Sequence, residues 1–161
     1  MHSARCGIKC RSDTIRAMEE ICKDSPASGL DVVSYDGGNY IRAVEHGEWC
    51  VAFLNHGDRF AAPAYMERHN GTDEVFVLLA GEATLLIGED RKEVKMSAGK
   101  IYNVRKGTWH QIVTKTGARC LVVENADTCA ANSERREHYR NELCDGLRKA
   151  FDATTIKERH E

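Results

Sequence analysis

The sequence predicts an all-β fold, a barrel or sandwich of about ten short strands with a helix at each terminus. Between Leu30 and Glu124, short apolar runs are broken by turn residues every eight to twelve positions. Outside that region, apolar residues recur at helical spacing. At 161 residues, with 42% hydrophobic and 30% charged, the chain suits a single domain that buries a sizeable core.

Residues 1–11 are polar and basic without a period. Ser12-Asp13 suits a helix N-cap, and Ile15, Met18, Ile21 and Cys22 follow at helical spacing to about Lys23, where Ser25-Pro26-Ala27-Ser28-Gly29 ends the helix. The expected strands are Leu30 to Tyr35, Tyr40 to Glu45, Trp49 to Asn55, Phe60 to His69 and Glu74 to Leu79. Ala83 to Ile87, Lys92 to Met96, Ile101 to Val104, Trp109 to Thr114 and Arg119 to Glu124 complete the set. Past Asp127 the pattern reverts to helix, capped by Asn132 or Ser133, with Tyr139, Leu143, Leu147, Ala150 and Phe151 as its apolar stripe. The expected division is therefore an N-terminal tail and short helix over 1–29, a β-barrel over 30–127 and a C-terminal helix over 128–161.

Net charge is −2, with acids and bases interspersed, so bulk electrostatics favours neither nucleic acid nor an anionic membrane as partner. No apolar run reaches the roughly 18 to 20 residues of a membrane span, and the N-terminus lacks the apolar core of a signal peptide; a cytoplasmic protein is expected. Seven irregularly spaced cysteines argue against a disulfide framework. Cys6 and Cys10 lack the second ligand pair of a zinc finger.

Chemistry collects first in Ala64 to Gly81. Alternation places Tyr65, Glu67 and His69 on one face of a strand, and Asn70-Gly71-Thr72-Asp73 is turn chemistry. As a hairpin this stretch pairs His69 directly with Glu74, so that one imidazole and two carboxylates converge. Tyr65, on the same face, and Arg59, just before the strand, are the candidate substrate contacts. His46 and His56, beside glycines in turns, are expected in solvent. Apolar residues occupy both faces of Glu74 to Leu79, so the outer face needs a cover, and a homodimer supplies one.

The second collection is Ala98 to Thr114. The first stretch, Glu67-x-His69, four residues, Glu74, six residues, Gly81, resembles motif one of the cupins. The second, Gly99, five residues, Arg105-x-Gly107, two residues, His110, three residues, Thr114, is similar to their motif two. The resemblance covers residues 60–115 and implies a double-stranded β-helix, the cupin jelly roll, with His69, Glu74 and His110 binding one divalent metal inside the barrel. Glu67 replaces the first histidine of the family pattern, Arg105 its proline and Thr114 its asparagine. Two histidines and one carboxylate suit divalent iron; a second carboxylate tilts the preference toward manganese, zinc or nickel. Glu67 is thus a fourth ligand, an unbound general base, or a strand-end carboxylate paired with an arginine such as Arg59.

Met66-Glu67-Arg68-His69 and Gly107-Thr108-Trp109-His110 also resemble segments of the ureidoglycolate lyases, cupin-fold enzymes that release glyoxylate and urea. Asn70 and Gln111-Ile112 depart from that pattern. The resemblance implies a metal-assisted lyase, or an isomerase or hydrolase, acting on a small polar carboxylate, with Glu67 or Glu74 moving a proton. A non-catalytic binding or sensor protein and an iron-dependent dioxygenase are the alternative expectations.

Overall fold

The computed structural model describes residues 21–137. Its strands are β1 (Cys22–Ala27), β2 (Leu30–Ser34), β3 (Asn39–His46), β4 (Trp49–Asn55), β5 (Tyr65–His69), β6 (Glu74–Ala80), β7 (Ala83–Ile87), β8 (Lys92–Lys95), β9 (Ile101–Val104), β10 (His110–Thr114), β11 (Arg119–Asn125) and β12 (Ser133–Glu137). One helical turn, α1 (Asp58–Ala61), separates β4 from β5. β1 and β2 form a hairpin of their own. The other strands build two antiparallel sheets, a first of order β3-β4-β11-β6-β9 and a second of order β12-β5-β10-β7-β8. From β5 onward the chain changes sheet at every connection except β7 to β8, which is the winding of a jelly roll.

Alternation sends Ala52, Leu54, Phe76, Leu78, Cys120 and Val122 inward from the first sheet against Ala83, Leu85 and Ile112 of the second. Outward from the first sheet, Ile41, Phe53, Leu121, Val77 and Ile101 are successive register partners across all five strands. Val44, Val51, Val123 and Val75 make a parallel row. Ile101 is 75% exposed and Leu79 48%.

Each of the ten expected strands has a counterpart, with corrections at their edges. Phe60 to His69 is not one strand: Asp58–Ala61 coils into α1, which drops Phe60 into the core and lets Pro63 follow where no ladder donor is needed. Cys22 and Lys23 are not helical but open β1, because Gly29, at φ +79°, closes a hairpin onto β2. Asn132 and Ser133 do not cap a helix. Ser133–Glu137 instead fills the open edge of β5, with Glu134 opposite Arg68 and Arg135 opposite Glu67, charge pairs that suit a ladder. The remainder of both expected terminal helices, including Ile15, Met18 and Tyr139 to Phe151, lies outside the described residues, as do Cys6 and Cys10. Among the described residues, Cys22, Cys50, Cys120 and Cys129 are free thiols, and no helix is long and apolar enough to cross a membrane.

The expected hairpin between β5 and β6 does not form. The two strands lie in different sheets, and neither Asn70 nor Gly71 takes a positive φ. Residues 70–73 carry the chain from one sheet to the other, so His69 and Glu74 face each other through the interior of the sandwich.

Candidate metal centre

His69 closes β5 and is buried. Its Nδ1 lies 2.7 Å from the Ser133 hydroxyl on β12, and its carbonyl accepts the Gly107 N–H at 2.7 Å. Gly107, at φ +75°, permits the turn that makes this clamp. His110 opens β10, and its Nδ1–H donates to the Thr108 carbonyl at 2.9 Å, which turns Nε2 inward toward Glu74. Glu74 opens β6, its Oε2 2.7 Å from His110 Nε2 and 3.2 Å from His69 Nε2. The three ligand atoms lie within 4.8 Å of one another.

Burial alone would raise the Glu74 carboxyl, but hydrogen bonds from His110 and His69 and their charge outweigh it and hold it down to about 2. Burial works against the charged form of His110, and the bond to Glu74 reverses that, so His110 moves up. Both shifts express one geometry: the His110 Nε2 and a Glu74 carboxylate oxygen aim at each other, a place that a shared proton or a metal cation can fill. Two imidazole nitrogens and one carboxylate oxygen are a facial-triad donor set. Separations near 3 Å match neighbouring ligands about 2.1 Å from a common ion. Ser133 and the Thr108 carbonyl supply the outer hydrogen bonds that such ligands need. The residues present therefore fit a divalent metal.

Glu67 is the register partner of His110 and lines the same cavity, of about 400 Å³, but stands outside the three-residue group. Its carboxylate is clasped by Arg135 Nε at 3.3 Å and by Arg59 at 3.9 Å. Arg59 is in the cavity wall. The Tyr65 ring instead packs under the Arg135 guanidinium, 4.6 Å away, and is not among the lining residues. His46 is exposed beside Trp49, whereas His56, expected in solvent, is half-buried with Nδ1 3.2 Å from the carbonyl and hydroxyl of Thr114.

The sequence reading missed a second polar group in the wall. Tyr40 donates its hydroxyl to Glu124 at 2.5 Å, and an Arg42 nitrogen lies 3.7 Å from the same carboxylate. Glu124 shares its face with Cys120 and Val122, so alternation along β11 already placed a carboxylate on an apolar face. Arg135 and Ser133 were hidden by the helix expected there.

A family model described as "Cupin domain" matches residues 54–124. No curated protein matches the sequence. Among solved structures, Streptomyces PAC13 with uridine aligns with a TM-score of 0.52 at 8% identity, covering 83% of this chain and 98% of its own. PAC13 is described as a nucleoside dehydratase. A structure described as ethanolamine utilization protein Q of Salmonella typhimurium aligns at 0.51 and 16%, covering 72% of this chain and all of its own. A cupin-2 domain protein of Shewanella frigidimarina has 18% identity and a TM-score of 0.43, covering 56% of this chain and 83% of its own. The match over residues 54–124 supports the resemblance to the cupins read from the two sequence motifs.

Proposed function

We propose that this protein is a metal-dependent lyase acting on a small polar carboxylate, with a ureidoglycolate-like compound as the first candidate. The observation that supports this reading is the meeting of His69, Glu74 and His110 in a cavity whose wall also carries Arg42, Arg59 and Arg135. At about 400 Å³ the space suits a small ligand. The reading rests on this chain's own side chains, since at 8% identity the likeness to PAC13 carries the fold alone.

His69, Glu74 and His110 would hold the ion, which when bound supplies Lewis-acid polarisation of a substrate oxygen. Manganese, zinc, iron and nickel all suit the donor set. Arg59 and Arg135 offer guanidinium groups to the substrate carboxylate. They now hold Glu67, so an arriving carboxylate competes for them and frees Glu67 to take a proton from a substrate hydroxyl. Elemental analysis of protein purified without added metal, together with glyoxylate release from ureidoglycolate, tests the reading. Glu67→Gln should keep the metal and lose turnover. A metal-loaded wild type that releases no glyoxylate removes this substrate, and a protein that holds no metal removes the centre.

The apolar rows on the outer face of the first sheet support a homodimer in the same reading. Light scattering at micromolar concentration should give twice the chain mass of 18.0 kDa. A monomer would remove that part.

A further inference from the structure

Glu124 stands outside the His69, Glu74 and His110 group, yet it is 8% exposed and lines the same cavity. It lies on β11 in the first sheet, opposite Cys50 of β4. Its surroundings are specific. Tyr40 of β3 donates to Oε1 at 2.5 Å. Arg42, also of β3, is held by the carbonyls of Ala126 at 2.7 Å and Thr128 at 2.9 Å, so its charge reaches Glu124 only at 3.7 Å. Burial pushes the Glu124 carboxyl up and the negative charge of Glu74 adds to the rise, while hydrogen bonds from Tyr40 and the Thr128 side chain and the charge of His69 pull it only partly back. This is a buried carboxylate whose charge the protein compensates incompletely, set in the wall of a ligand cavity.

Such a group accepts hydrogen bonds and cannot bind an anion. The arginines of the wall have the opposite preference. We propose that Glu124 forms a donor-reading subsite, which takes an N–H group of the ligand (amide, ureido or ammonium) while the guanidinium groups of Arg59 and Arg135 take its carboxylate. The ligand class is then a small carboxylate with a nitrogen donor at its other end. Tyr40 is the positioning residue that fixes the acceptor, and Arg42 ties β3 to the loop at 126–128 that follows the acceptor's strand. The subsite rests on the carboxylate-ligand reading given above and adds to it which second group the ligand carries.

Two probes separate the claims. Succinamate and levulinate have the same carboxylate, chain length and internal carbonyl, and differ in a terminal NH₂ against a CH₃. Calorimetric titration of the metal-loaded full chain should show succinamate binding about tenfold tighter or more, because a charge-assisted hydrogen bond in a buried site carries that much. Glu124→Gln should reduce the preference to within about threefold. Equal binding of the two probes by wild type overturns the subsite, and this measurement needs no variant. A preference that survives intact in Glu124→Gln overturns it as well. If neither probe binds, the carboxylate-ligand reading falls and the subsite with it, an outcome distinct from equal binding of both.

Discussion

The two sheets contribute different parts of one cavity. The second sheet brings His69, His110, Glu67, Ser133 and Arg135, and the first brings Glu74, Glu124, Tyr40 and Arg42. The imidazoles thus come from one layer and the carboxylate that joins them from the other. Neither sheet holds a complete donor set, so the centre exists only when the sandwich is closed and aligned. An error of about 1 Å in sheet alignment is enough to separate oxygen from nitrogen by more than a hydrogen bond allows. The crossing segments, more than the strands, therefore decide whether the centre forms.

The largest expected effect comes from removing the one ligand that the first sheet contributes. Glu74→Gln takes away the charge that joins the two imidazoles, and metal affinity should fall on the order of a hundredfold or more, since loss of outer-shell partners alone costs 10- to 100-fold. Competition with a chromophoric chelator measures it. Affinity equal to wild type would show that the ion does not use Glu74.

Next in size is a change that disturbs alignment without touching a donor. Gly81 sits at φ +72°, and a Cβ there would lie 2.6 Å from the Gly117 carbonyl and the Ala118 Cα, where the β6–β7 turn meets the β10–β11 turn. Gly81→Ala combines left-handed strain with a backbone clash and should cost about 2–3 kcal/mol of stability. Denaturant unfolding reads it, and a cost under about 0.5 kcal/mol would mean that the two turns move apart freely.

Alternation and turn residues, which act within a few neighbours, made the strands legible, and motif spacing singled out His69, Glu74 and His110, which the fold brings together. Trp49–Asn55, Ala83–Ile87 and Ile101–Val104 fall where alternation puts them. The hairpin was the wrong intermediate, although His69 and Glu74 do meet. Turn residues at 70–73 indicate that the chain bends, and only the pairing of β5 with β10 and β12, and of β6 with β11 and β9, decides which sheet it enters. The reading of β12 failed for a related reason. Ser133-Glu134-Arg135-Arg136-Glu137 has no apolar period, and its complement, Glu67-Arg68 on β5, lies over sixty residues away. Glu124 could have been noticed as a lone charge on an apolar face, but nothing local named Tyr40 as its partner.

Ser133→Ala tests the outer support of the second sheet. The β12 backbone ladder to β5 would remain, while His69 Nδ1 loses its 2.7 Å partner. Metal affinity should fall 10- to 100-fold with little change in thermal stability. Unchanged affinity would show that the clamp of Gly107 on the His69 carbonyl suffices to orient the ring.

The smallest effect is expected at Asp73, in the segment that carries the chain from β5 to β6. Its Oδ2 accepts the Asn103 side chain of β9 at 2.9 Å, and its Oδ1 accepts the Lys106 N–H, also at 2.9 Å, in the turn that leads to β10. One exposed carboxylate thereby ties two crossings together. These two hydrogen bonds hold its carboxyl below the ordinary 3.8. The group is ionised in both folded and unfolded chains near neutral pH, so its contribution is complete above about pH 4 and is lost as the pH falls through the depressed folded value. Asp73→Asn should therefore lower the melting temperature slightly and by a constant amount between pH 7 and pH 5, with the gap to wild type closing at lower pH. A gap that widens on acidification would show that Asp73 binds its proton more readily in the folded chain, and that the crossing is held by something other than its charge.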